Sequence, residues 1–362
     1  MTSRGAVLVA THQIEMRDFP LPAIGDHDGL LRIELAGVCG SDIHHWDGRS
    51  QVVMNAPALL GHEIVGRIEK IGDEAAARWS VTTGTRVIVE ASFGCGNCEW
   101  CLRGSYQTCA KEQGYGGRIS AANAPHLWGA YGQFLYLPPR ARVHQVSEKI
   151  SPDVGVVIGA VLANGIRWVR TVGGTSVGDT VVIMGPGPQG LAATVAAHAA
   201  GARQIIVVGL TRDRARLSLA QDFGATDLMI ASDSTIRDIA DLTNGRLADL
   251  VLDVTASQSA ARDAAWLVRP LGTLVMAGSK GGHPVEFPWD NLVAKQIRAV
   301  GVNSHDTRAV EAAVKLAETE RYPLNRMLTH QLPLERAGEA IEFVRSSGAD
   351  DGVIKVALDP WA

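Results

Sequence analysis

A histidine and a glutamate stand side by side in "GHEIVGRI", and a cysteine precedes that histidine by 23 residues. Together Cys39, His62 and Glu63 offer the sulfur, nitrogen and oxygen ligands of an open catalytic zinc site. Ser41 and His44 follow the cysteine closely, and a hydroxyl near an imidazole could carry a proton from a substrate to solvent. Taken singly, each residue is just as readily a surface or core side chain. The pattern gains meaning only if the rest of the chain supplies a fold and a cofactor that use it.

The other four cysteines lie close together in "CGNCEWCLRGSYQTC", with the spacing C-x2-C-x2-C-x7-C. Such short spacings let one tight loop supply three thiolates, and the longer segment that follows brings the fourth thiolate to a tetrahedral zinc. Four protein ligands leave no open position for a substrate, so the spacing predicts a structural zinc. The alternative is four free thiols in a loop. The ligands of this predicted site are Cys95, Cys98, Cys101 and Cys109.

The stretch "GPGPQG" matches the dinucleotide-binding pattern G-x-G-x-x-G and lies between a predicted strand and a predicted helix, as that motif requires. We expect Gly185 to make the tight turn, Gly187 to let a pyrophosphate approach the backbone, and Gly190 to let helix pack on strand. Pro188 and Gln189 begin the helix, whose N-terminus would hold the phosphate charge. The alternative is a glycine-rich turn without a ligand.

The residues that choose between NAD and NADP follow the next strand, "QIIVVG". An NAD-specific domain places an acidic residue about 20 positions beyond the glycine loop, on the ribose hydroxyls. Here Gly209 and Thr211 occupy the candidate positions, and Arg212 and Arg214 follow at once. A guanidinium pairs well with a 2′-phosphate, so this segment favours NADP. Asp213 could turn toward the ribose instead, and both arginines could be solvated residues at a helix start.

The elements that must position these residues fall into two groups. Up to about residue 150, short β-branched runs such as "LLRIELAGV", "IVGRIEKIG" and "TRVIVEA" predict an irregular antiparallel sheet or barrel. From Thr180 the strands "TVVIMG", "QIIVVG", "LVLDVT" and "GTLVMAG" alternate with helices, two of which end at Gly201 and Gly224. This alternation predicts a parallel sheet with helices on both faces. Amphipathic helices near 306–320 and 334–346 and a closing strand, "GVIKVAL", follow.

Bulk properties limit the class of protein. A chain of 362 residues exceeds what one core normally supports, so we expect two domains. A net charge of −4 argues against nucleic acid or an anionic membrane as the main partner. The apolar run near the N-terminus is too short for a signal peptide, and we see no apolar run that approaches the roughly 18 residues of a membrane span. Five cysteines without an export signal argue against a disulfide framework. We therefore expect a soluble, cytoplasmic protein.

The chain resembles a zinc-dependent medium-chain alcohol dehydrogenase, nearest in pattern to the sorbitol and threonine dehydrogenase branch. The resemblance covers nearly the whole chain and rests on "GVCGSDIHHW", "GHEIVGRI", the four-cysteine lobe, "GPGPQG" and "LTHQLPLERAGEAIEFV". It implies a GroES-like, β-rich catalytic domain (1–152 and 301–362) whose structural-zinc lobe covers about 92–112. It also implies a Rossmann nucleotide-binding domain (153–300), with the active cleft between the two.

The resemblance assigns roles to further residues. The zinc ligands and the proton relay would be the residues named above. Asp42 would bind the side of the His62 ring that faces away from the zinc and so orient it. Lys355 would lie near the pyrophosphate. The family's usual third zinc ligand falls at Ala160, which cannot bind metal. Glu63 is then the best candidate for that ligand, as in the polyol branch, and a water would complete the tetrahedron. The alternative is a site that has lost its zinc.

These features predict an enzyme that transfers a hydride between NAD(P) and a secondary, polyol or aromatic alcohol, with two zincs per chain. Trp46, Trp128 and Tyr131 are candidates to line the cleft, although packing explains each equally well. The strand "RAVGVN" resembles the edge through which the family dimerises, so we expect a homodimer or homotetramer. Two alternatives stay open: a zinc-independent NADPH reductase of the quinone-reductase type, and a non-catalytic nucleotide-binding protein. The retained zinc-ligand residues argue against the first.

Overall fold

Three β-sheets and twelve α-helices organise the described residues of the computed structural model, which are 1–49, 55–111, 113–346 and 352–362. The strands are β1 (Thr2–Ala10), β2 (Gln13–Pro20), β3 (Gly29–Val38), β4 (Ala58–Leu59), β5 (Glu63–Ile71), β6 (Arg86–Val89), β7 (Phe134–Leu137), β8 (Val143–Gln145), β9 (Thr180–Met184), β10 (Gln204–Gly209), β11 (Asp227–Ile230), β12 (Ala248–Asp253), β13 (Val268–Met276), β14 (Arg298–Gly301), β15 (Leu328–Pro333) and β16 (Lys355–Asp359). The helices are α1 (Gly40–Trp46), α2 (Asp73–Trp79), α3 (Glu99–Leu102), α4 (Pro152–Val157), α5 (Ala163–Ile166), α6 (Pro188–Ala199), α7 (Arg214–Asp222), α8 (Thr235–Leu242), α9 (Gln258–Leu267), α10 (Trp289–Lys295), α11 (Thr307–Glu318) and α12 (Ala337–Ser346).

The second half of the chain forms a parallel sheet in the order β11-β10-β9-β12-β13-β14. Its central strands β9 and β12 are buried along their whole length, which requires helices on both faces. The strand order reverses between β9 and β12, so their carboxyl ends open the crevice in which such sheets bind dinucleotides. The predicted Rossmann-type sheet is confirmed. The helix ends expected at Gly201 and Gly224 are also found, since both glycines have positive φ just beyond α6 and α7.

The first half forms a three-stranded sheet, β2-β1-β4, and a seven-stranded sheet in the order β15-β16-β3-β5-β6-β8, with β7 also paired to β3. The pairing is antiparallel except between β15 and β16, and the β-rich GroES-like fold expected for this half is confirmed. The last strand, β16, pairs with β3, so the end of the chain returns to the first domain. The boundaries at residues 152 and 300 stay predictions. The buried face of α11 joins the hydrophobic core that contains α5 and α6.

A continuous helical segment, Pro152–Val172, connects the two halves and contains α4, α5 and two π-helical stretches. By length and mean hydropathy this segment could cross a membrane, contrary to the expectation that no apolar run approaches such a span. However, 78% of its most apolar window is buried inside the protein. It contacts β5 on one side and α6 on the other, so its apolar character is that of a core helix between two domains.

Candidate active site

Two adjacent strand ends bring three predicted zinc ligands together. Cys39 follows β3 and begins α1, while His62 and Glu63 stand at the start of β5. These strands pair antiparallel, with Gly37 opposite Glu63, so residues distant in sequence meet at one end of the sheet. One ligand atom from each of the three side chains lies within 4.8 Å of the others.

The surroundings of Glu63 fit a bound cation. Its carboxylate is buried, and Oε1 has no hydrogen-bond partner among the described residues. A side chain at Gly37 would overlap this carboxylate, so only glycine leaves room for it. A buried, incompletely partnered carboxylate beside a thiol and an imidazole is a donor set that zinc accepts. Ala160, at the family's usual third-ligand position, is buried and offers no ligand side chain.

Asp42 holds the cysteine and the histidine in place. Its Oδ2 accepts the backbone N–H of Cys39 at 2.8 Å and the hydroxyl of Tyr131 at 2.9 Å. Its Oδ1 lies 3.6 Å from Nδ1 of His62. This leaves Nε2 of His62 to face the ligand cluster, the group formed by Cys39, His62 and Glu63. Burial by itself would lower the pKa of His62, but Cys39, Asp42 and Glu63 together raise that pKa to about 9. The site thus carries an excess of negative charge that favours a cation.

Ser41 and His44 lie three residues apart on α1 and therefore on one face of that helix. The Oγ of Ser41 is 3.5 Å from Nε2 of His62, so the hydroxyl stands beside the ligand cluster. His44 is half-buried in the last turn of the helix. The hydroxyl thus stands beside the ligand residues, and the imidazole follows it on the same face of the helix.

The four clustered cysteines also converge, with all four sulfur atoms within 4.8 Å of one another. Cys98 and Cys101 lie three residues apart at the start of the short helix α3. Two backbone N–H groups, those of Cys95 and Lys111, donate to Sγ of Cys109 at 3.2 and 3.4 Å and so support a thiolate there. Gly94 has φ +68°, and a Cβ at this position would lie 2.7 Å from Sγ of Cys101. Position 112, in the predicted lobe, lies outside the described residues.

The glycine loop has the geometry expected for each glycine. Gly185 has φ +103°, a side chain at Gly190 would overlap the carbonyl of Gly185, and a Cβ at Gly187 would point into open space. Pro188 is the first residue of α6, whose N-terminus faces that space. The side chain of Gln189 donates to the carbonyl of residue 160 at 3.1 Å, so its backbone is the part left for a phosphate.

The segment after β10 turns its acidic residue inward and its first two arginines outward. Asp213 is buried, and its carboxylate accepts the backbone N–H of Leu210 at 2.9 Å and pairs with Arg216 at 3.2 Å. Its carboxylate is therefore engaged within the turn that also contains Thr211. Arg212 and Arg214 are exposed, and neither makes a hydrogen bond or ion pair with the part of the chain that the structure describes.

The expectation that Lys355 lies near the pyrophosphate is wrong. Lys355 is buried, its ammonium contacts the carboxylate of Glu63, and it donates to the carbonyl of Val38 at 2.8 Å. The cause is the pairing of β16 with β3, in which Val356 lies opposite Val38. The lysine therefore lies beside Cys39, His62 and Glu63 and balances the charge of the Glu63 carboxylate.

The aromatic side chains expected to line the cleft instead pack in the core. Trp46 is buried and donates its ring N–H to Glu342 of α12 at 2.6 Å. Trp128 is buried against Tyr136 and donates to the carbonyl of Asn123 at 2.9 Å. Tyr131 is also buried, and its hydroxyl supports Asp42, a role that no sequence motif indicated.

Two family profiles match the chain. The family described as "Alcohol dehydrogenase GroES-like domain" matches residues 25–148, which contain both groups of converging cysteine, histidine and glutamate residues. The family described as "Zinc-binding dehydrogenase" matches residues 188–319, which begin at the first residue of α6. The two matches together span more than half of the chain.

Individual proteins are similar along almost their whole length. A probable alcohol dehydrogenase of Mycobacterium tuberculosis is 39% identical over 359 residues, which cover 97% of this chain and 96% of that protein. An erythritol/L-threitol dehydrogenase of Mycolicibacterium smegmatis is 31% identical and covers 96% and 95%. The crystal structure of an alcohol dehydrogenase from Thermotoga maritima matches with a TM-score of 0.89 at 30% identity and covers 99% of each chain. The chain therefore belongs to the zinc-dependent medium-chain alcohol dehydrogenases and is an oxidoreductase of that family.

Proposed function

We propose that this enzyme interconverts polyols or other secondary alcohols and the corresponding ketones with NADP(H), at a catalytic zinc held by Cys39, His62 and Glu63. The observation that carries the proposal is the buried Glu63 carboxylate, which meets the thiol and the imidazole where Ala160 offers no ligand. A glutamate ligand at this position is what the resemblance to the polyol branch implies. The similarity to an erythritol/L-threitol dehydrogenase supports the same substrate class.

When bound, zinc would supply a Lewis acid to the substrate oxygen, and the nicotinamide would supply the hydride acceptor or donor. The chain must then move the hydroxyl proton. Ser41 stands beside the ligand cluster and would accept that proton, and His44, on the same face of α1, would pass it toward solvent. Asp42 would keep His62 oriented throughout, because its carboxylate is also held by Cys39 and Tyr131.

The preference for a polyol over an aromatic alcohol follows from the packing of the two indoles. Trp46 and Trp128, lining a cleft, would suit an aromatic substrate, but both are buried with their ring N–H groups bonded. The preference for NADP rests on the free guanidinium groups of Arg212 and Arg214 and on the inward-turned Asp213. A 2′-phosphate would meet positive charge at this turn.

A substrate panel tests the proposed function. Purified enzyme with its zinc content measured is assayed with four-carbon to six-carbon polyols, aliphatic secondary alcohols and benzyl alcohol, each with NAD and NADP. We expect two zincs per chain and the highest kcat/KM for a polyol or aliphatic secondary alcohol with NADP. Higher turnover of benzyl alcohol, or reductase activity with only one zinc per chain, would refute the proposal and favour an aromatic alcohol dehydrogenase or a zinc-independent reductase, respectively.

We also propose that the enzyme forms a homodimer or homotetramer and acts in the cytoplasm. The edge strand β14 is largely exposed, and the neighbouring helix α10 presents Trp289 and Val293, which are 69% and 63% exposed. A second copy would cover both features. The five cysteines are free thiols, as two zinc sites require, and suit a reducing compartment.

A further inference from the structure

Lys280 follows β13 at the carboxyl end of the parallel sheet, beside the crevice that the strand order opens. Its ammonium donates to Oδ2 of Asp253 at 2.6 Å and to the carbonyl of Thr255 at 2.6 Å. The side chain of Lys280 is 14% exposed, so it is largely enclosed but still partly accessible to a ligand.

Thr255 connects Lys280 to the glycine loop. A Cβ placed on Gly185 would lie 2.8 Å from the methyl group of Thr255, so the residue that Lys280 holds packs against the tight turn of the loop. Asp253 completes this support, because its Oδ1 accepts both the N–H and the hydroxyl of Thr255 at 2.9 and 2.7 Å. The three residues form one rigid group at the switch point of the sheet.

The topology indicates which half of a dinucleotide this group would meet. In a doubly wound sheet one nucleotide lies over each half, with the adenosine on the side of the strand after the glycine loop. That strand is β10, and the arginines proposed to meet the 2′-phosphate follow it. β12 and β13 lie on the other side of β9, where the nicotinamide riboside would lie.

The chemistry of the ammonium indicates the acceptor. A lysine ammonium has three N–H donors, and the structure assigns two of them to Asp253 and Thr255. Because the Asp253 carboxylate already balances the charge, a neutral oxygen suits the third donor. We propose that Lys280 binds a hydroxyl of the nicotinamide ribose through this third N–H. The inference deepens the proposed function and rests on its nicotinamide chemistry.

The test compares Lys280→Met with Lys295→Met, which makes the same change at the last residue of α10. The ammonium of Lys295 is held at the amino end of β13, where it donates to the carbonyls of Trp266 at 3.1 Å and Val268 at 3.0 Å. Dissociation constants are measured by fluorescence or calorimetry, without substrate, for NADPH and NADH and for two probes of the adenosine half, AMP and adenosine 2′,5′-bisphosphate. We expect Lys280→Met to weaken dinucleotide binding by about tenfold or more, to leave both probes unchanged, and Lys295→Met to bind all four as the native enzyme does.

A double variant, Asp253→Asn with Lys280→Met, removes both charges and so avoids an unpaired buried carboxylate. We expect it to regain thermal stability but not dinucleotide affinity. Native dinucleotide affinity in either Lys280 variant, or an equal loss for dinucleotide and adenosine probes, would overturn the inference, because the lysine would then only support the loop. If the native enzyme binds neither dinucleotide, the proposed function fails as well, and this result is distinct from a failure at Lys280 alone.

Discussion

At the scale of single residues, the proposed catalytic site centres on Glu63, whose buried carboxylate lies between Cys39 and His62 on one side and Lys355 on the other. The lysine balances one negative charge, while the neighbouring thiol and imidazole offer the rest of a coordination sphere. A carboxylate in this position is stable only with cationic partners, because an isolated buried charge is costly. Its substitution therefore alters both the ligand set and the ion pair with Lys355.

We predict that Glu63→Gln binds one zinc per chain instead of two and loses at least about 100-fold in kcat/KM, because a neutral amide replaces an anionic ligand. Zinc analysis and steady-state kinetics provide the measurement. Glu34→Gln is the control, since it makes the same change at another ion-paired glutamate, whose partners are Arg67 and Arg86 and which lies outside both zinc sites. Two tightly bound zincs in Glu63→Gln would show that this residue is not a ligand.

Cofactor choice is also decided at single residues. We predict that Arg212→Ala lowers kcat/KM for NADPH by about 10-fold to 100-fold and leaves NADH little changed, because one charged hydrogen-bonding group to the 2′-phosphate is lost. Arg203→Ala is the matched control, an exposed arginine at the amino end of the same strand, β10. A native preference for NADH, or an equal loss with both cofactors, would contradict the assignment.

At the scale of elements, the cysteine lobe is joined to the domain by a buried polar network. Tyr106, which lies between the third and fourth cysteines, donates to Glu90 and lies 3.1 Å from the hydroxyl of Thr307 in α11. Thr307 itself donates to Glu90 at 2.9 Å. A zinc in the lobe would therefore stabilise more than its own loop, since the network extends to α11.

We predict that Cys98→Ser releases one zinc and lowers the melting temperature, because a structural zinc contributes folding free energy directly. The matched variant Cys39→Ser should also lose one zinc but abolish turnover with little change in thermal stability. Zinc analysis, calorimetry and kinetics on the pair distinguish the two sites. Unchanged stability in Cys98→Ser with one zinc lost would argue against a structural role for the lobe.

His305 joins two elements and gives the stability a pH dependence. It is buried before α11, and its Nδ1 lies 3.2 Å from Oδ1 of Asn164 in α5. Burial lowers the pKa of His305 from 6.5 to about 4, and Glu90 opposes this only in part. Because the folded pKa lies below the unfolded one, the contribution is fully present above pH 6.5 and is lost as the pH falls through 4.

We predict that the native protein loses up to roughly 3 kcal/mol more unfolding free energy than His305→Gln between pH 6.5 and 4. Chemical denaturation of both proteins after zinc removal provides the comparison, because metal loss in acid then affects neither curve. His27→Gln, a change at a histidine between β2 and β3, serves as the control. Parallel curves for the native protein and His305→Gln would show that this histidine is not held neutral.

At the scale of the whole molecule, contacts between the two domains hold them around the crevice. The helical segment Pro152–Val172 is buried between them, and Arg216 of α7 donates to the carbonyl of Val353, just before β16, at 3.1 and 2.8 Å. The turn proposed to meet the 2′-phosphate is thus connected to the strand that carries Lys355. The outer edge of the Rossmann sheet, by contrast, is open.

We predict that Trp289→Glu combined with Val293→Glu halves the molecular mass in solution, because these two exposed residues lie on one face of α10 beside the edge strand β14. Analytical ultracentrifugation measures the mass. Val177→Glu, an equally exposed apolar residue at a different place in the domain, is the control. A monomeric native protein, or an unchanged mass in the double variant, would contradict the proposed interface.

Short-range patterns made much of this protein predictable from its sequence. The spacing of the four cysteines places them in one loop, and the pattern of the three glycines places them in one turn. The alternation of strands and helices predicts a parallel sheet. Each inference depended on residues close in the chain, whose geometry local sterics and ligand chemistry largely determine. Cys39, His62 and Glu63 were also anticipated, but only with a resemblance to a family, because 23 residues separate the first from the second.

The tertiary structure alone decided which side chains meet across strands and domains. Lys355 lies beside Glu63 because β16 pairs with β3, and no local pattern records that pairing. Trp46 and Trp128 are core residues because α12 and β7 cover them. Lys280 contacts Asp253 and Thr255 because β13 pairs with β12. In each case the partner is distant in sequence, so burial and electrostatic environment depend on the complete fold.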